Sequence, residues 1–322
     1  MNIKNFIKIS RKIFLVERVK NLLDLKIEIQ KMKQERNAVI LAHNYQLAEV
    51  QEVADYVGDS FYLSKIAANI ENDVIVFCGV RFMAETAKIL SPQKVVLLPE
   101  KDAGCPLAEM ITADALRELK GEYPGVPVVC YVNSSAEVKA ESDVCCTSSN
   151  ALKVVASLPN HRVIFVPDGN LGNYIARQIP EKELILWQGH CVTHAKVKPE
   201  DVRMVRAQYP EAKFLIHPEC HPAVVDLGDF VGSTSEIIRY AEHSDAKVFV
   251  IGTEIGVVCH LRTCLPNKQF FLLHSGLVCP NMKKTRLQSV YDALRHNQHE
   301  INVEESIARR AKSTLDRMLA AE

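Results

Sequence analysis

The chain alternates between short apolar runs and longer amphipathic stretches. Runs such as AVILA, VIVFC, VIFVP and VFVIG are apolar throughout and have the length of strands. The stretches between them, such as ITADALRELKGEYP and KPEDVRMVRAQYP, carry apolar residues at helical spacing. Strands that are apolar on both faces are typical of parallel sheets covered by helices on either side. The pattern therefore predicts an α/β fold built from parallel sheets.

The same succession of strands and helices recurs three times. The first strand of each copy ends in a polar residue, at His43, Tyr131 and His217, with intervals of 88 and 86 residues. A period of this length indicates a small domain rather than a solenoid unit. We expect three homologous three-layer α/β/α domains with parallel sheets, arranged about a pseudo-threefold axis. The carboxyl ends of the strands would face inward, where such sheets bind ligands.

The repeat predicts how the chain divides. We expect the first α/β repeat with an N-terminal helix in 1–104, the second in 105–190 and the third in 191–278. Residues 279–322 would form a C-terminal loop and helices that pack on the first domain. The basic start, MNIKNFIKISRKIFLVERVK, lacks a continuous apolar core followed by small residues, so we interpret it as a solvated or docked helix rather than a signal peptide. A membrane-surface or partner-binding helix is the alternative.

Three cysteines share one register. Cys105, Cys191 and Cys279 each follow the last strand of a copy, at intervals of 86 and 88 residues. Around a threefold axis they would converge, and converging thiolates suit a soft metal or a cluster. Structural zinc sites and most iron–sulfur clusters use four ligands, so three leave one metal position open as a Lewis acid. The sequence therefore predicts a metal centre with an open site.

The seven other cysteines do not share this register. Four lie in or beside apolar strands and are interpreted as buried packing residues: Cys78, Cys130, Cys145 and Cys146. Cys220, next to Glu219, is the rival ligand, and Cys259 with Cys264 on a predicted helix is a less favoured thiol pair. Many reduced cysteines in a long chain without an export signal indicate a reducing cytosol, so we expect a cytoplasmic protein.

Charge and hydropathy exclude two classes of partner. Lys+Arg and Asp+Glu both number 39, so the formal net charge is zero and a large basic nucleic-acid surface is not expected. The apolar runs are shorter than the roughly 20 residues that span a bilayer. Small anions need only local binding groups. In each copy a hydroxyl residue is predicted to open a helix, at Ser60, Ser148 and Thr234, and helix starts bind anions. Plain helix capping is the alternative for these three.

Several motifs in order resemble the quinolinate synthase family, from about residue 39 to the C-terminus. They are LAHNYQ, VGDS, FMAETAKIL, AGCPLAEM, YVNSSAEVKA, TSSNA, GHCVTH, HPEC, VGSTS, GTEIG and CPNMKK. The resemblance implies one [4Fe–4S] cluster on Cys105, Cys191 and Cys279, with the fourth iron open to substrate. It implies condensation of iminoaspartate with dihydroxyacetone phosphate to quinolinate, releasing phosphate and water, in NAD biosynthesis. A transient contact with L-aspartate oxidase is a further expectation.

The same resemblance implies the site residues. Glu219 would be the general base, with Tyr45 and His194 orienting or protonating the intermediate. The substrate-binding residues would be His43, Ser60, Tyr131, Asn133, Ser148, His217, Ser233 and Thr234. The chain departs from many relatives in its longer basic N-terminus and in having Cys279 alone where some carry CxxCxxC. Two other classes stay open, another cluster-dependent (de)hydratase or lyase and a non-catalytic iron–sulfur sensor.

Overall fold

The computed structural model describes residues 21–321, which contain three four-stranded sheets. The strands within each sheet pair in parallel, and in every sheet their spatial order is second, first, third and fourth along the chain. One topology therefore occurs three times along the chain, with its first strand next to the edge strand and its last strand at the opposite edge. The predicted fold class, three α/β units with parallel sheets, is confirmed.

The first sheet is preceded by helix α1, which covers residues 21–35. The sheet and its crossover helices are, in chain order, β1 (Ala38–His43), α2 (Ala48–Gln51), β2 (Tyr56–Gly58), α3 (Ser60–Asn69), β3 (Val74–Cys78), α4 (Arg81–Leu90) and β4 (Val95–Leu97). Helix α5 (Ala113–Glu122) leads to the second sheet.

The second unit repeats this order, and its second helix is shorter, with 7 residues instead of 10. It consists of β5 (Val128–Tyr131), α6 (Ala136–Ala140), β6 (Val144–Cys146), α7 (Ala151–Ser157), β7 (Arg162–Val166), α8 (Gly169–Gln178) and β8 (Glu183–Leu186). A 3-10 turn (His194–Lys196) and α9 (Pro199–Gln208) connect it to the third unit.

The third unit and the C-terminal helices complete the fold. They are β9 (Lys213–Ile216), α10 (Pro222–Val225), β10 (Phe230–Val231), α11 (Thr234–His243), β11 (Val248–Gly252), α12 (Ile255–Cys264), β12 (Gln269–Leu272), α13 (Leu287–His296) and α14 (Glu305–Ala320). Helix α13 contacts α2 and β3, whereas α14 contacts α4, α6 and β6. The domain boundaries given above stay a prediction.

An aspartate at the start of the second strand fastens that strand to the first in every copy. The carboxylate of Asp55 accepts the Ile40 N–H at 2.8 Å, and its own N–H donates to the Ile40 carbonyl at 2.9 Å. Asp143 makes the same two bonds with Val128, and Asp229 makes them with Phe214. These aspartates set where the short edge strand begins in each sheet.

The hydrophobic core is continuous between the first two sheets and separate in the third. One cluster of buried side chains joins α3 and α4 of the first unit to β5–β8 and α14. A second packs α1 and α13 on the other face of the first sheet. Two further clusters lie on the two faces of the third sheet. Helices therefore cover both faces, as the continuous apolar strands predict.

Two observations concern the ends of the chain and membranes. Within residues 21–321 we find no helix that is both long enough and apolar enough to cross a bilayer. The helix predicted for the basic first twenty residues lies outside the described part of the chain.

The aspartate fastening predicts a stability effect. Asp143→Ala leaves the buried Val128 N–H without its acceptor, so the free energy of unfolding should fall by about 1–3 kcal/mol. Urea unfolding measures this. The exposed Asp245, in the turn before β11, is the matched control, and Asp245→Ala should stay within about 0.5 kcal/mol of the parent. Equal losses in both variants would contradict the fastening role.

Candidate active site

The carboxyl ends of the first strands of all three sheets open into one cavity. Thirteen of the fourteen residues predicted for the site line it, namely His43, Tyr45, Ser60, Cys105, Tyr131, Asn133, Ser148, Cys191, His194, His217, Glu219, Thr234 and Cys279. The remaining one, Ser233, is buried at the N-cap of α11, where its hydroxyl accepts the Glu236 N–H. The tertiary structure therefore brings the predicted set together, while the role of each residue stays a prediction.

Equivalent positions of the three copies carry different chemistry. The residue two places after each strand-end position is Tyr45 in the first copy, Asn133 in the second and Glu219 in the third. In the first and third copies the strand-end histidine accepts the backbone N–H two residues on, at 3.1 Å for His43 and 3.3 Å for His217. This tight turn points Tyr45 and Glu219 at the cavity that Asn133 also lines.

Glu219 is the electrostatic centre of the cavity. Its Oε1 accepts the Tyr131 hydroxyl at 2.5 Å, and its Oε2 lies 2.8 Å from His194 Nδ1 and 4.0 Å from His217 Nδ1. Burial acts to raise the pKa of this carboxyl, but His194, His217 and the bond from Tyr131 hold the pKa below its ordinary value. Asn170 also donates to the Glu219 carbonyl at 3.1 Å. The site thus contains a fixed, dehydrated carboxylate.

Two histidines of the cavity are neutral, because burial outweighs the effect of the nearby carboxylates on their pKa. Burial lowers the pKa of His43 to about 4 and the pKa of His217 to about 3, although nearby carboxylates act in the other direction. The turn bonds described above make Nδ1 the acceptor in both rings, so the proton of each ring is on Nε2. Both rings can therefore donate a hydrogen bond to a ligand at neutral pH.

A continuous line of hydrogen bonds joins His194 to Tyr45. His194 Nε2 lies 3.0 Å from the Thr253 hydroxyl, which lies 2.8 Å from the Tyr45 hydroxyl. The Tyr45 hydroxyl is also 3.0 Å from that of Thr234. Since Glu219 accepts at His194 Nδ1, this line connects the carboxylate of Glu219 through His194 and Thr253 to the phenol of Tyr45. Burial raises the pKa of Tyr45 well above its ordinary value, which keeps this phenol a donor.

Thr253 and Asp59 belong to the site, and the sequence reasoning did not single them out. Thr253 directly follows β11, so the rule that points to strand ends could have found it. Asp59 lines the cavity, and its Oδ2 accepts the hydroxyls of Ser149 at 2.9 Å and Ser235 at 2.5 Å. The side chains of all three copies therefore meet at Asp59, a contact that no spacing reveals.

The hydroxyl residues at predicted helix starts are only partly at helix starts. Ser60 and Thr234 are the first residues of α3 and α11, and the capping is done by the preceding Asp59 and Ser233. The expectation that Ser148 opens a helix is wrong, because α7 begins at Ala151.

The physical reason lies in a local turn of the second copy. The side-chain oxygen of Asn150 accepts the Thr147 N–H at 2.8 Å and its hydroxyl at 3.2 Å, which inserts a turn before the helix. Ser148 nonetheless lines the cavity from this turn.

One cavity atom has an unmet hydrogen-bonding demand. Asn133 Oδ1 is buried and finds no hydrogen-bond partner within residues 21–321. A buried acceptor without a donor is costly, so it indicates a ligand N–H or O–H at this place. Tyr131, two residues earlier, is held as a donor because burial and the Glu219 charge raise its pKa. Its one proton is donated to Glu219, so this wall of the cavity offers a ligand the acceptor of Asn133.

The three cysteines in register lie on the same cavity and sit in similar turns. Backbone N–H groups two or three residues on face each sulfur: Leu107 and Ala108 at Cys105, His194 at Cys191, and Asn281 and Met282 at Cys279.

This arrangement fits a metal centre. Burial raises the pKa of all three thiols, to about 12 for Cys105, so thiolates here require a positive charge beside them. Soft metals supply that charge, and N–H groups aimed at sulfur are typical of iron–sulfur sites.

The comparison with known proteins agrees with this geometry. The family model for quinolinate synthetase A protein matches residues 27–320, which include all three sheets and both C-terminal helices. The chain belongs to the quinolinate synthetase A family. The resemblance drawn from the motifs is therefore confirmed.

Relatives of this quinolinate synthetase A chain cover nearly its whole length. A protein of Alkaliphilus metalliredigens named quinolinate synthase is 62% identical over 292 residues, which are 91% of this chain and 96% of that protein. Proteins of the same name from Caldicellulosiruptor bescii and Geobacter metallireducens are 58% and 55% identical, and each match covers 92% of this chain and 97% of the relative.

A second donor set occurs in this quinolinate synthetase A chain. Ligand atoms of Cys191, His194 and Glu219 lie within 4.8 Å of one another and could hold a single metal ion. Cys220, the rival ligand, is buried with its thiol near the Gly252 carbonyl and does not line the cavity. The four strand cysteines are buried and reduced, and Cys259 and Cys264 are free and exposed on α12.

The depressed histidine pKa values predict how stability depends on pH. His43 binds a proton near pH 6.5 when unfolded but only near 4 when folded, so its stabilising contribution is complete above 6.5 and is lost as the pH falls. Between about pH 7.5 and about pH 5.5 it should account for about 1.4 kcal/mol of lost stability. His43→Asn, which can still accept the Tyr45 N–H, should remove that share of the loss in urea unfolding of the metal-free chain. An unchanged pH dependence in the variant would contradict the neutral state of His43.

Proposed function

We propose that the chain is a quinolinate synthase, which condenses iminoaspartate with dihydroxyacetone phosphate to quinolinate and releases phosphate and water. The observation that carries the proposal is the dehydrated carboxylate of Glu219 in the same cavity as three thiols in register. Ring formation requires proton removal beside a carbonyl, loss of phosphate and dehydration. An acid–base centre next to an open metal site meets all three requirements.

The acid–base residues divide the proton transfers among them. Glu219 is the general base, because its low pKa keeps it ionised and Tyr131 and His194 fix both of its oxygens. His194 takes up its orientation from Glu219 on one ring nitrogen and from Thr253 on the other. Tyr45, at the far end of that line, protonates or orients the intermediate.

The anionic groups of the substrates bind to backbone and neutral donors. Ser60 and Thr234 are at the first turns of α3 and α11, where free N–H groups and the helix dipole favour negative charge. His43 and His217 donate from Nε2, and Asn133 offers its unpartnered oxygen to a substrate N–H. Ser148 and Ser233 complete the set that we assign to substrate binding.

We propose one [4Fe–4S] cluster on Cys105, Cys191 and Cys279 as the cofactor. Three thiols on one cavity wall, each facing backbone N–H groups, support this donor set. When bound, the cluster supplies an iron that accepts a substrate oxygen as a Lewis acid. The three cysteines that would hold it line the same cavity as Glu219 and His194.

The setting of the enzyme follows from its thiols and substrates. Buried reduced cysteines and an oxygen-sensitive cofactor suit a reducing cytoplasm, which we propose as its location. Iminoaspartate is an imine that water hydrolyses, so a transient contact with L-aspartate oxidase would shorten its exposure. An iron–sulfur sensor would have no use for the base and the two neutral histidines. Another cluster-dependent lyase remains the alternative that turnover decides.

Turnover of the two substrates tests the function. Anaerobically purified, cluster-loaded protein should form quinolinate, detected by chromatography. Glu219→Gln keeps the shape and the bond to Tyr131 but removes the base, so it should lower kcat by about 10²–10⁴-fold while iron content is retained. Parent protein without quinolinate formation would remove the function, and near-normal turnover in Glu219→Gln would place the base elsewhere.

The cofactor assignment predicts which cysteines matter. Anaerobically reconstituted protein should contain about four irons per chain, as expected for this cluster type, and Cys105→Ala, Cys191→Ala or Cys279→Ala should each abolish them. The matched control is the buried strand residue Cys78, because Cys78→Ala should lose some stability and keep its iron. Metal analysis and the visible spectrum measure both.

The two donor sets give different results in that experiment. A single ion on Cys191, His194 and Glu219 would give about one metal per chain. It would survive Cys105→Ala and Cys279→Ala and be lost in Glu219→Gln, which would overturn the cluster assignment.

A further inference from the structure

An ion pair next to the cavity joins three parts of the chain. Glu254 follows Thr253 at the end of β11 and is fully buried, and Lys283 lies in the loop 279–284. Lys283 Nζ lies 2.9 Å from Glu254 Oε1 and 3.0 Å from Oε2. The same ammonium group donates to the backbone carbonyl of Tyr45, in the first copy. Neither member lines the cavity.

The carboxylate of Glu254 reaches the cysteine loop. Its Oε1 accepts the backbone N–H of Cys279 at 3.2 Å, and its Oε2 accepts that of Gly256 at 2.7 Å. A Cβ at Gly256 would stand 2.4 Å from the Asn44 carbonyl oxygen, so only glycine permits the first copy to approach this closely. The pair therefore sits at a crowded junction with all its oxygens used.

Other hydrogen bonds join the loop 279–284 to the turn that carries Tyr45 and to the turn that carries Cys105. Gln46 donates to the Met282 carbonyl at 2.8 Å, and Asn281 donates to the Gly104 carbonyl at 2.9 Å, beside Cys105. The loop thus contacts the turn that carries Tyr45 on one side and the Cys105 turn on the other. Within the loop, both the Cys279 N–H and the Lys283 ammonium group are bonded to the Glu254 carboxylate.

We propose that Glu254 and Lys283 form a positioning pair that fixes the Cys279 turn and the Tyr45 backbone relative to each other. Thr253 holds the phenol of Tyr45, and the pair holds its carbonyl, so both ends of this residue are set from the end of β11. Replacing a buried ion pair by apolar groups is often neutral for stability, and such pairs are better suited to fixing geometry. The inference rests on the proposed roles of Tyr45 and Cys279.

The test uses a double variant that leaves no unpaired buried charge. Glu254→Gln/Lys283→Met retains size and an acceptor for the Cys279 N–H but loses the bond to the Tyr45 carbonyl. In the cluster-loaded enzyme kcat should fall about tenfold to a hundredfold, the effect of a small misplacement, while KM for both substrates stays close to the parent value. The single variant Lys283→Arg keeps the charge and the donors, so it should retain most of the parent kcat.

A second measurement does not depend on turnover. In the full chain before cluster loading, alkylation by iodoacetamide, mapped by mass spectrometry, should become several-fold faster at Cys279 in the double variant, with Cys105 and Cys191 unchanged. The control is Lys284→Met at the neighbouring exposed lysine, which donates to the Asp102 carbonyl and should leave all three rates as in the parent. Glu254→Gln/Lys283→Gln, which also leaves no unpaired buried charge and is too short to reach Tyr45, serves if the first double variant does not fold.

The outcomes separate a positioning role from a merely structural one. Equal acceleration at all three cysteines would mean general loosening and would overturn the proposal, as would an unchanged Cys279 rate or an equal effect of Lys284→Met. If the parent makes no quinolinate, the proposed function fails. The alkylation rates still decide whether the pair holds the Cys279 turn.

Discussion

Glu219 carries a negative charge on a side chain that is only 5% exposed, and its neighbours keep that charge in place. Tyr131 comes from the second copy, His194 from the turn that follows it, and His217 from the third copy. Removing a carboxylate from water costs several kcal/mol unless such partners compensate. The packing of the copies around the cavity is therefore also a condition for the charge on which the proposed chemistry depends.

Triplication of one unit explains how a small fold builds this environment. A single parallel sheet presents its strand ends at one edge, and three such edges facing one another enclose a cavity. The copies supply a tyrosine, an asparagine and a glutamate at equivalent positions, so one backbone geometry delivers three kinds of side chain. The three cysteines likewise occupy equivalent positions, each after the last strand of its copy.

The symmetry is broken where the chemistry needs it. Only the third copy carries a carboxylate at the position of Glu219, and only the first carries one at Asp59, which accepts hydroxyls from the other two copies. The core is also unequal, since the first two sheets share one hydrophobic cluster while the third has its own. The third unit meets the others through polar contacts such as those of Asp59, Glu219 and Glu254 and through the packing of Tyr45 and Tyr174 on its two clusters.

The sequence by itself determined the parallel sheets, the threefold recurrence and the register of Cys105, Cys191 and Cys279, because apolar runs and spacing are local properties of a chain. Strand ends and the cysteine register pointed to part of the site, the family resemblance implied the rest, and thirteen of the fourteen residues line one cavity. The turn that puts Ser148 before its helix is local, made by Asn150 and Thr147. The tertiary structure alone decided the place of Thr253 between His194 and Tyr45 and the pairing of Glu254 with Lys283. Those contacts join residues up to 208 positions apart, and their geometry depends on how three packed units meet, which no local pattern encodes.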